Sequence, residues 1–154
     1  MMKLRVYIDT SVIGGCLDEE FKDTSRQLID RSRKGEMVVV ISELTTLELK
    51  NAPQDVLDIL KEIPEGNTEY VELKEEAVNL AHKYIAEGVI GKGKLVDAEH
   101  IAIATINRVD ALVSWNFRYI VNLQKIRGYN SVNLKYGYPL LEIRSPQEVI
   151  TYGE

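Results

Sequence analysis

Val96–Tyr119, VDAEHIAIATINRVDALVSWNFRY, is the stretch on which the reading of this chain turns. An acid, Asp97, stands at the start of a predicted helix. Ala98, Ile101, Ala102, Ile103, Ala104 and Ile106 leave that helix only a thin polar stripe, and a helix apolar nearly all round is buried on most sides. After the break at Asn107–Asp110, the run Ala111–Ser114 reads as a short buried strand, with Trp115 and Asn116 at its carboxyl end. In a parallel α/β sheet helices begin at the edge where strands end, and ligands sit there. Asp97 and Asn116 can therefore face one another across a cleft.

The sequence before this stretch supplies the other layers. Lys3–Ile8, with Leu4, Val6 and Ile8, reads as a first strand ending at Asp9; Thr10, Ser11 and the Gly14–Gly15 pair then break the pattern. An acid followed by two hydroxyls at a strand end suits a metal or phosphate site, although taken alone a simple cap on the next turn is the better explanation of Asp9 or Ser11. Asp18–Lys34 reads as an amphipathic helix with Gly35 as its stop, and Met37–Ile41 as a buried strand parallel to the first. Ser42 is the expected N-cap of a helix over Glu43–Lys50. Its glutamates Glu43 and Glu48 are five positions apart, about 500° of turn, so they point roughly 140° apart and only one can face the cleft. The helix dipole accounts for Glu43 in the first turn, which assigns Glu48 to the site.

Helices are expected over Pro53–Ile63 and Lys74–Glu87, separated by a turn at Pro64–Asn67 and an extended piece at Tyr70–Leu73. The loop GVIGKGKLV lacks the GxxxxGK[ST] pattern and follows no convincing strand, which rejects a P-loop. Past Asn116 the expectation is a short helix over Ile120–Arg127 ending at Gly128-Tyr129-Asn130. Strands at Val132–Leu134 and Leu140–Ile143 and a last helical turn at Ser145–Glu148 follow. The order βα…βα, helices, βαβ predicts a three-layer α/β/α domain with a mostly parallel central sheet, one domain over residues 1–154.

Composition narrows the function classes. The 154 residues suffice for one core without staples, and 45% hydrophobic with 28% charged residues is ordinary for a soluble globular chain. The one cysteine, Cys16, excludes an intrachain disulfide and a Cys-based zinc motif, and two histidines leave any metal to carboxylates. No apolar run approaches membrane length and no signal-peptide pattern opens the chain, so a cytoplasmic location is expected. A net charge of −5 argues against a general polyanion binder. Any basic footprint must be local. Lys92, Lys94, Arg118, Lys125 and Arg127 flank the quoted stretch and suit phosphates, though a solvated surface explains them as well.

Asp9, Glu48, Asp97 and Asn116 thus map to one edge of the sheet. Three carboxylates in one cleft repel, so one stays protonated or a cation offsets them. Oxygen ligands suit Mg²⁺ or Mn²⁺, which bind phosphate oxygens while keeping several waters. Such an ion can activate water and stabilise charge on a cleaved phosphodiester, and Asn116 could orient that water or ligate through its carbonyl.

YIDTSVIGG near the start, SELTTLELK after the second strand and DAEHIAIATINRVDALVSWNF together resemble PIN-domain nucleases, nearest to the small VapC-like toxin ribonucleases of type II toxin–antitoxin systems. The resemblance spans roughly Val6–Ile143. It implies a PIN-like fold and a divalent-metal-dependent endoribonuclease with an RNA substrate, a cognate antitoxin protein and a homodimeric state. The family's acids match Asp9, Glu48 and Asp97, and its fourth position, often aspartate, falls on Asn116. Its neighbouring hydroxyls match Thr10, Ser11 and Ser114. His100, one turn after Asp97 on the same face, is placed to touch the site or the substrate, and a hydrogen-bonded core histidine is an equal reading. Lys94 and Arg118 are the cations expected at the substrate. Two further readings stand beside the toxin: a housekeeping RNA-processing or DNA nuclease, and a catalytically weak PIN-like module that binds RNA or protein, which Asn116 favours and the three intact acids oppose.

Overall fold

The chain is described from a computed structural model that covers residues 3–152. Its elements run β1 (Leu4–Ile8), α1 (Thr10–Gly15), α2 (Lys22–Arg33), β2 (Met37–Ser42), α3 (Glu43–Glu48), α4 (Gln54–Lys61), β3 (Thr68–Val71), α5 (Glu75–Ala86), α6 (Leu95–Ile106), β4 (Ala111–Val113), α7 (Leu123–Lys135), β5 (Ile143–Arg144) and α8 (Pro146–Tyr152). Short 3-10 turns precede β3 and α6. The five strands form one sheet in the order β3-β2-β1-β4-β5, and every pair is parallel.

Two cores lie on the two faces of this sheet, and strand alternation decides which residue enters which. Tyr7, Val40, Leu112 and Ile143 pack with the helices α5, α6 and α7. Val6, Ile8, Val39, Ile41 and Val113 pack with α1, α2, α4 and Ile150 of α8. Successive strand residues point to opposite faces, so a sheet covered on both sides needs apolar residues at nearly every position. VVVI in β2 and LV in β4 meet that need. Helix α6 is the most deeply buried, with Ala98 through Thr105 all enclosed, as its apolar composition requires.

The chain leaves β1 toward β2 and β3 on one side, and reaches β4 and β5 on the other. The strand order therefore reverses between β1 and β4, and the crevice beyond the carboxyl ends of these strands is where α/β sheets hold ligands.

Several expected elements differ. Val132–Leu134 is not a strand: it lies inside α7, where Tyr129, Val132 and Asn133 turn inward at helical spacing. Gly128 does not end the preceding helix either. A Cβ built there would stand 2.8 Å from Val89 Cγ1, so this glycine lets α7 press against the loop before α6 rather than stopping the helix. The expected strand at Leu140–Ile143 contracts to Ile143–Arg144. The first long helix starts only at Lys22, because Asp18 Oδ1 accepts from the amides of Glu20 and Phe21 and holds a turn there. Residues 10–15, expected to break the pattern, form α1.

Candidate functional site

Asp9 follows the last residue of β1 and is the N-cap of α1, at φ −92° and ψ 179°. Its Oδ1 accepts from the Ser11 amide at 3.1 Å and the Ser11 hydroxyl at 2.6 Å. Its Oδ2 accepts from the Ser114 hydroxyl at 2.6 Å. That hydroxyl is brought to it by the sheet: Ile8 pairs with Val113 in the β1–β4 register, and Asp9 and Ser114 are the next step along each strand. Each hydroxyl carries one hydrogen and gives it to Asp9, so the 3.3 Å contact between the two serine oxygens is contact only. Their lone pairs then receive the amides of Trp115 and Asn116, both at 2.9 Å. The backbone leaving β4 is tied to the Asp9 carboxylate through two serines.

Glu48 is the last residue of α3. Its Oε1 accepts from the Thr10 hydroxyl at 3.0 Å and from His100 Nε2 at 2.7 Å. Glu43 points elsewhere, accepting the Leu73 amide, the divergence that their spacing on a helix requires. His100 is enclosed in α6, and its Nδ1 stands 2.6 Å from the Tyr7 hydroxyl, which stands 2.7 Å from Ser42 Oγ. An ionised carboxylate has no hydrogen to give, so Nε2–H donates to Glu48, while Nδ1 faces the Tyr7 hydroxyl. Ser42, at the N-cap position of α3, makes no side-chain cap bond; its hydroxyl is spent on Tyr7 instead.

Asp97 lies in the first turn of α6, half-buried. Burial raises its pKa; His100 and Lys94 oppose that through space, while Asp9 and Glu48 add to it. Burial likewise raises the pKa of Asp9, against the pull of His100, Ser11 and Ser114. Burial pushes Glu48 upward too, but the hydrogen bond and charge of His100 together with the Thr10 hydroxyl prevail, and its pKa falls. Asp9, Glu48, Asp97 and His100 thus act on one another's charge.

Asn116 is near this group but partly committed. Its Oδ1 accepts the Tyr119 amide at 3.0 Å, and its own amide reaches Asp9 only by way of Ser114. Lys94 Nζ lies 4.5 Å and the Arg118 guanidinium carbon 5.2 Å from the Tyr119 ring centroid, so both cations gather on one aromatic ring beside the cleft. Lys125 does not join them, because it donates to the Val89 carbonyl.

The donor set suits a hard cation. His100 has both ring nitrogens engaged, which leaves carboxylate oxygens. Among the described residues no group of three or more His, Cys, Asp or Glu side chains is placed to hold a metal ion. Mg²⁺ is ordinarily held by one or two carboxylates with waters and substrate phosphates rather than by an all-protein cage, so the two aspartates fit it.

Sequence reading gave Tyr7 no role at the site and gave Ser42 only that of a helix cap. Tyr7 carried a signal: it is a polar-tipped ring in a strand buried on both faces, and a buried tyrosine hydroxyl needs a partner.

No family model matches the sequence, and no curated protein matches it. Solved structures do. VapBC2 from Rickettsia felis, bound to a DNA fragment from its promoter, superposes with a TM-score of 0.59 at 14% identity, over 92% of this chain and 98% of that one. The sarcin-ricin loop cleaving toxin VapC20 of Mycobacterium tuberculosis gives 0.55 at 11% identity, over 73% and 91%. A toxin–antitoxin complex from Klebsiella pneumoniae gives 0.53 at 16%, over 73% and 88%. The chain has the PIN-domain fold of these VapC-like structures, with an all-parallel five-stranded sheet between helical layers.

Proposed function

We propose that this chain is a divalent-metal-dependent endoribonuclease and the toxin of a toxin–antitoxin pair. The observation that carries the reading is that Glu48 is tied to Thr10, the residue after Asp9, and to His100, one turn after Asp97, while Ser114 at the end of β4 holds Asp9. Asp9 and Asp97 would hold Mg²⁺ or Mn²⁺, with Glu48 directly or through water. A bound ion of this kind supplies positive charge for the cleaved phosphate and lowers the pKa of an attacking water. The chain's own residues do the rest. Ser11 and Ser114 fix both oxygens of Asp9, His100 and Thr10 fix Glu48, and Lys94 and Arg118 offer charge to flanking phosphates. The folds of VapBC2 and of the Klebsiella toxin–antitoxin complex support an antitoxin partner.

The second reading, a catalytically weak binding module, is favoured by one observation: Asn116 Oδ1 is already bonded to the Tyr119 amide. A homodimer belongs to the toxin reading. Large apolar side chains left exposed among the described residues include Leu123, Leu134 and Leu140, and none lies on α2, α4 or α5. Among the described residues no helix is long and apolar enough to cross a membrane.

The test is cleavage of structured RNAs with Mg²⁺ or Mn²⁺, abolished by EDTA. Asp97→Asn should slow it on the order of 10²- to 10³-fold, the usual loss when one electrostatic stabiliser is removed. Cleavage that survives EDTA, or no cleavage at any metal concentration, overturns the proposal.

A further inference from the structure

Beside the carboxylate cleft stands an aromatic ladder that the hydrolytic groups do not use. Trp115 stacks on Phe21 with ring centroids 4.1 Å apart and planes 18° apart. Its Nε1–H donates to the enclosed Ser25 hydroxyl at 2.8 Å. Gly15 makes room for it: a Cβ there would lie 2.8 Å from Trp115 Nε1. The indole is thus fixed on one face, at its polar tip and along one edge. Phe117 leans on it nearly edge-on, centroids 6.1 Å apart at 66°, yet half its surface (50%) stays in water.

A large ring held by a rigid neighbour and left open to solvent is shaped to stack with something. Phe117 directly follows Asn116, whose amide bonds Ser114, which bonds Asp9. On its other side in sequence lie Arg118 and Tyr119, with Lys94 and Arg118 both over the Tyr119 ring. In a chain of net charge −5, Arg118 adjoins the open Phe117 ring in sequence and shares the Tyr119 ring with Lys94. An aromatic platform flanked by cations fits a strand of bases with phosphates on either side. Paired bases in an RNA helix are already stacked inside it, whereas unpaired ones can be splayed onto a protein ring.

We propose that Phe117, backed by Trp115, is a stacking platform for an unpaired base of RNA beside the scissile phosphate, with Lys94 and Arg118 taking the neighbouring phosphates. This rests on the nuclease reading and gives one base of its substrate a place on the protein. Phe117 acts on substrate position, so its loss should appear in KM and leave kcat in place.

The experiment has two arms. In EDTA, fluorescence anisotropy follows wild-type, Phe117→Leu and Phe117→Trp proteins binding a labelled single-stranded oligoribonucleotide, alone or annealed to its complement. With Mg²⁺, KM and kcat are measured on the unannealed oligomer, and melting temperatures check each fold. Leucine keeps apolar bulk without the π face, and tryptophan keeps both. Phe117→Leu should weaken binding and raise KM by about 5- to 150-fold, the range for one base–aromatic stack. Phe117→Trp should stay within about threefold of wild type on that scale. The wild-type Trp115, the chain's one tryptophan, should change its emission on binding. Phe117→Leu indistinguishable from wild type, or duplex bound as tightly as single strand, overturns the platform. If RNA is cleaved and Phe117→Leu has no effect, the platform falls and the nuclease stands. If RNA is bound through Phe117 and never cleaved, the nuclease falls and with it the placement beside a scissile phosphate, while the stacking contact stands. Neither binding nor cleavage overturns both.

Discussion

Replacing Ser114 by alanine tests whether the two serines hold Asp9 in its charged form. The side chain is fully buried, so water cannot take over its bonds. The substitution removes a 2.6 Å bond to Asp9 Oδ2 and leaves the Asn116 amide without its 2.9 Å acceptor. A bond to a charged group is worth about 1.5–3 kcal/mol, and orphaning a buried donor costs about 1 kcal/mol or more. The expected loss at neutral pH is therefore about 3–4 kcal/mol, a sizeable part of the roughly 5–15 kcal/mol that keeps a domain folded. At about 2–4 °C per kcal/mol for a chain of this length, the melting temperature should fall by about 6–16 °C.

Urea unfolding followed by Trp115 emission is the assay, run with and without Asp9→Asn. Without a charge at position 9 the serine makes a neutral bond, worth about 0.5–1.5 kcal/mol. The loss should shrink by about 1–2 kcal/mol in that background. The pH dependence has a definite sign. Ser114 is among the groups pulling the Asp9 pKa down against burial, so its removal raises that pKa further. The penalty is then smaller at pH 4 and grows as pH rises through the folded value, because it is the charged form that loses its partner. A loss under about 0.5 kcal/mol, or the same loss in both backgrounds, would show that Ser114 does not act through the carboxylate.

Because Asp9 and Asp97 are raised from 3.8, their contribution to stability is present below that value and is lost as pH rises through their folded pKa; Glu48, lowered from 4.5, contributes above it and opposes them. Mg²⁺ should accordingly raise the melting temperature more at pH 8 than at pH 4, reversibly with EDTA, and an equal rise at both would count against the site. Asn116→Ala should lose about 1 kcal/mol with the Tyr119 cap and slow cleavage, whereas Asn116→Asp keeps the acceptor and should tighten metal binding in the absence of RNA. Calorimetry finding two tight ions in the wild-type free protein, or full activity in Asn116→Ala, would remove Asn116 from the mechanism.

Strands and buried helices were legible where one pattern dominated. VVVI between turn residues could only be an enclosed strand, and the apolar run of α6 only an enclosed helix. The C-terminal third misled because local cues competed. Gly128 looks like a helix stop, and its purpose, the close approach of Val89, is a tertiary fact with no trace in the neighbouring residues. Val132–Leu134 alternates over three positions, too few to separate a strand from the face of a helix that already includes Tyr129. At the site, Glu48 could be chosen over Glu43 because helical geometry separates them whatever the fold. The partner that holds Glu48 could not be found that way. His100 reaches it across two elements, and the hydroxyl behind His100 comes from a third.

The three acids are held by three different means, and this bears on how a cation would be accommodated. Asp9 has donors on both oxygens and sits where β1 meets β4, so its position is set by the sheet. Glu48 is set by α6 and α1 together, through His100 and Thr10. Asp97 has no hydrogen-bond donor among the described residues; burial raises its pKa, and charge acts on it from His100 and Lys94 in its favour and from Asp9 and Glu48 against it. Fixed donors define where an ion can sit, and an unbonded, half-buried carboxylate gains most from its arrival, because no hydrogen bond offsets its burial. Asp97 is therefore the residue whose charge should depend most on the metal. The serines and His100 position its companions whether or not an ion is bound.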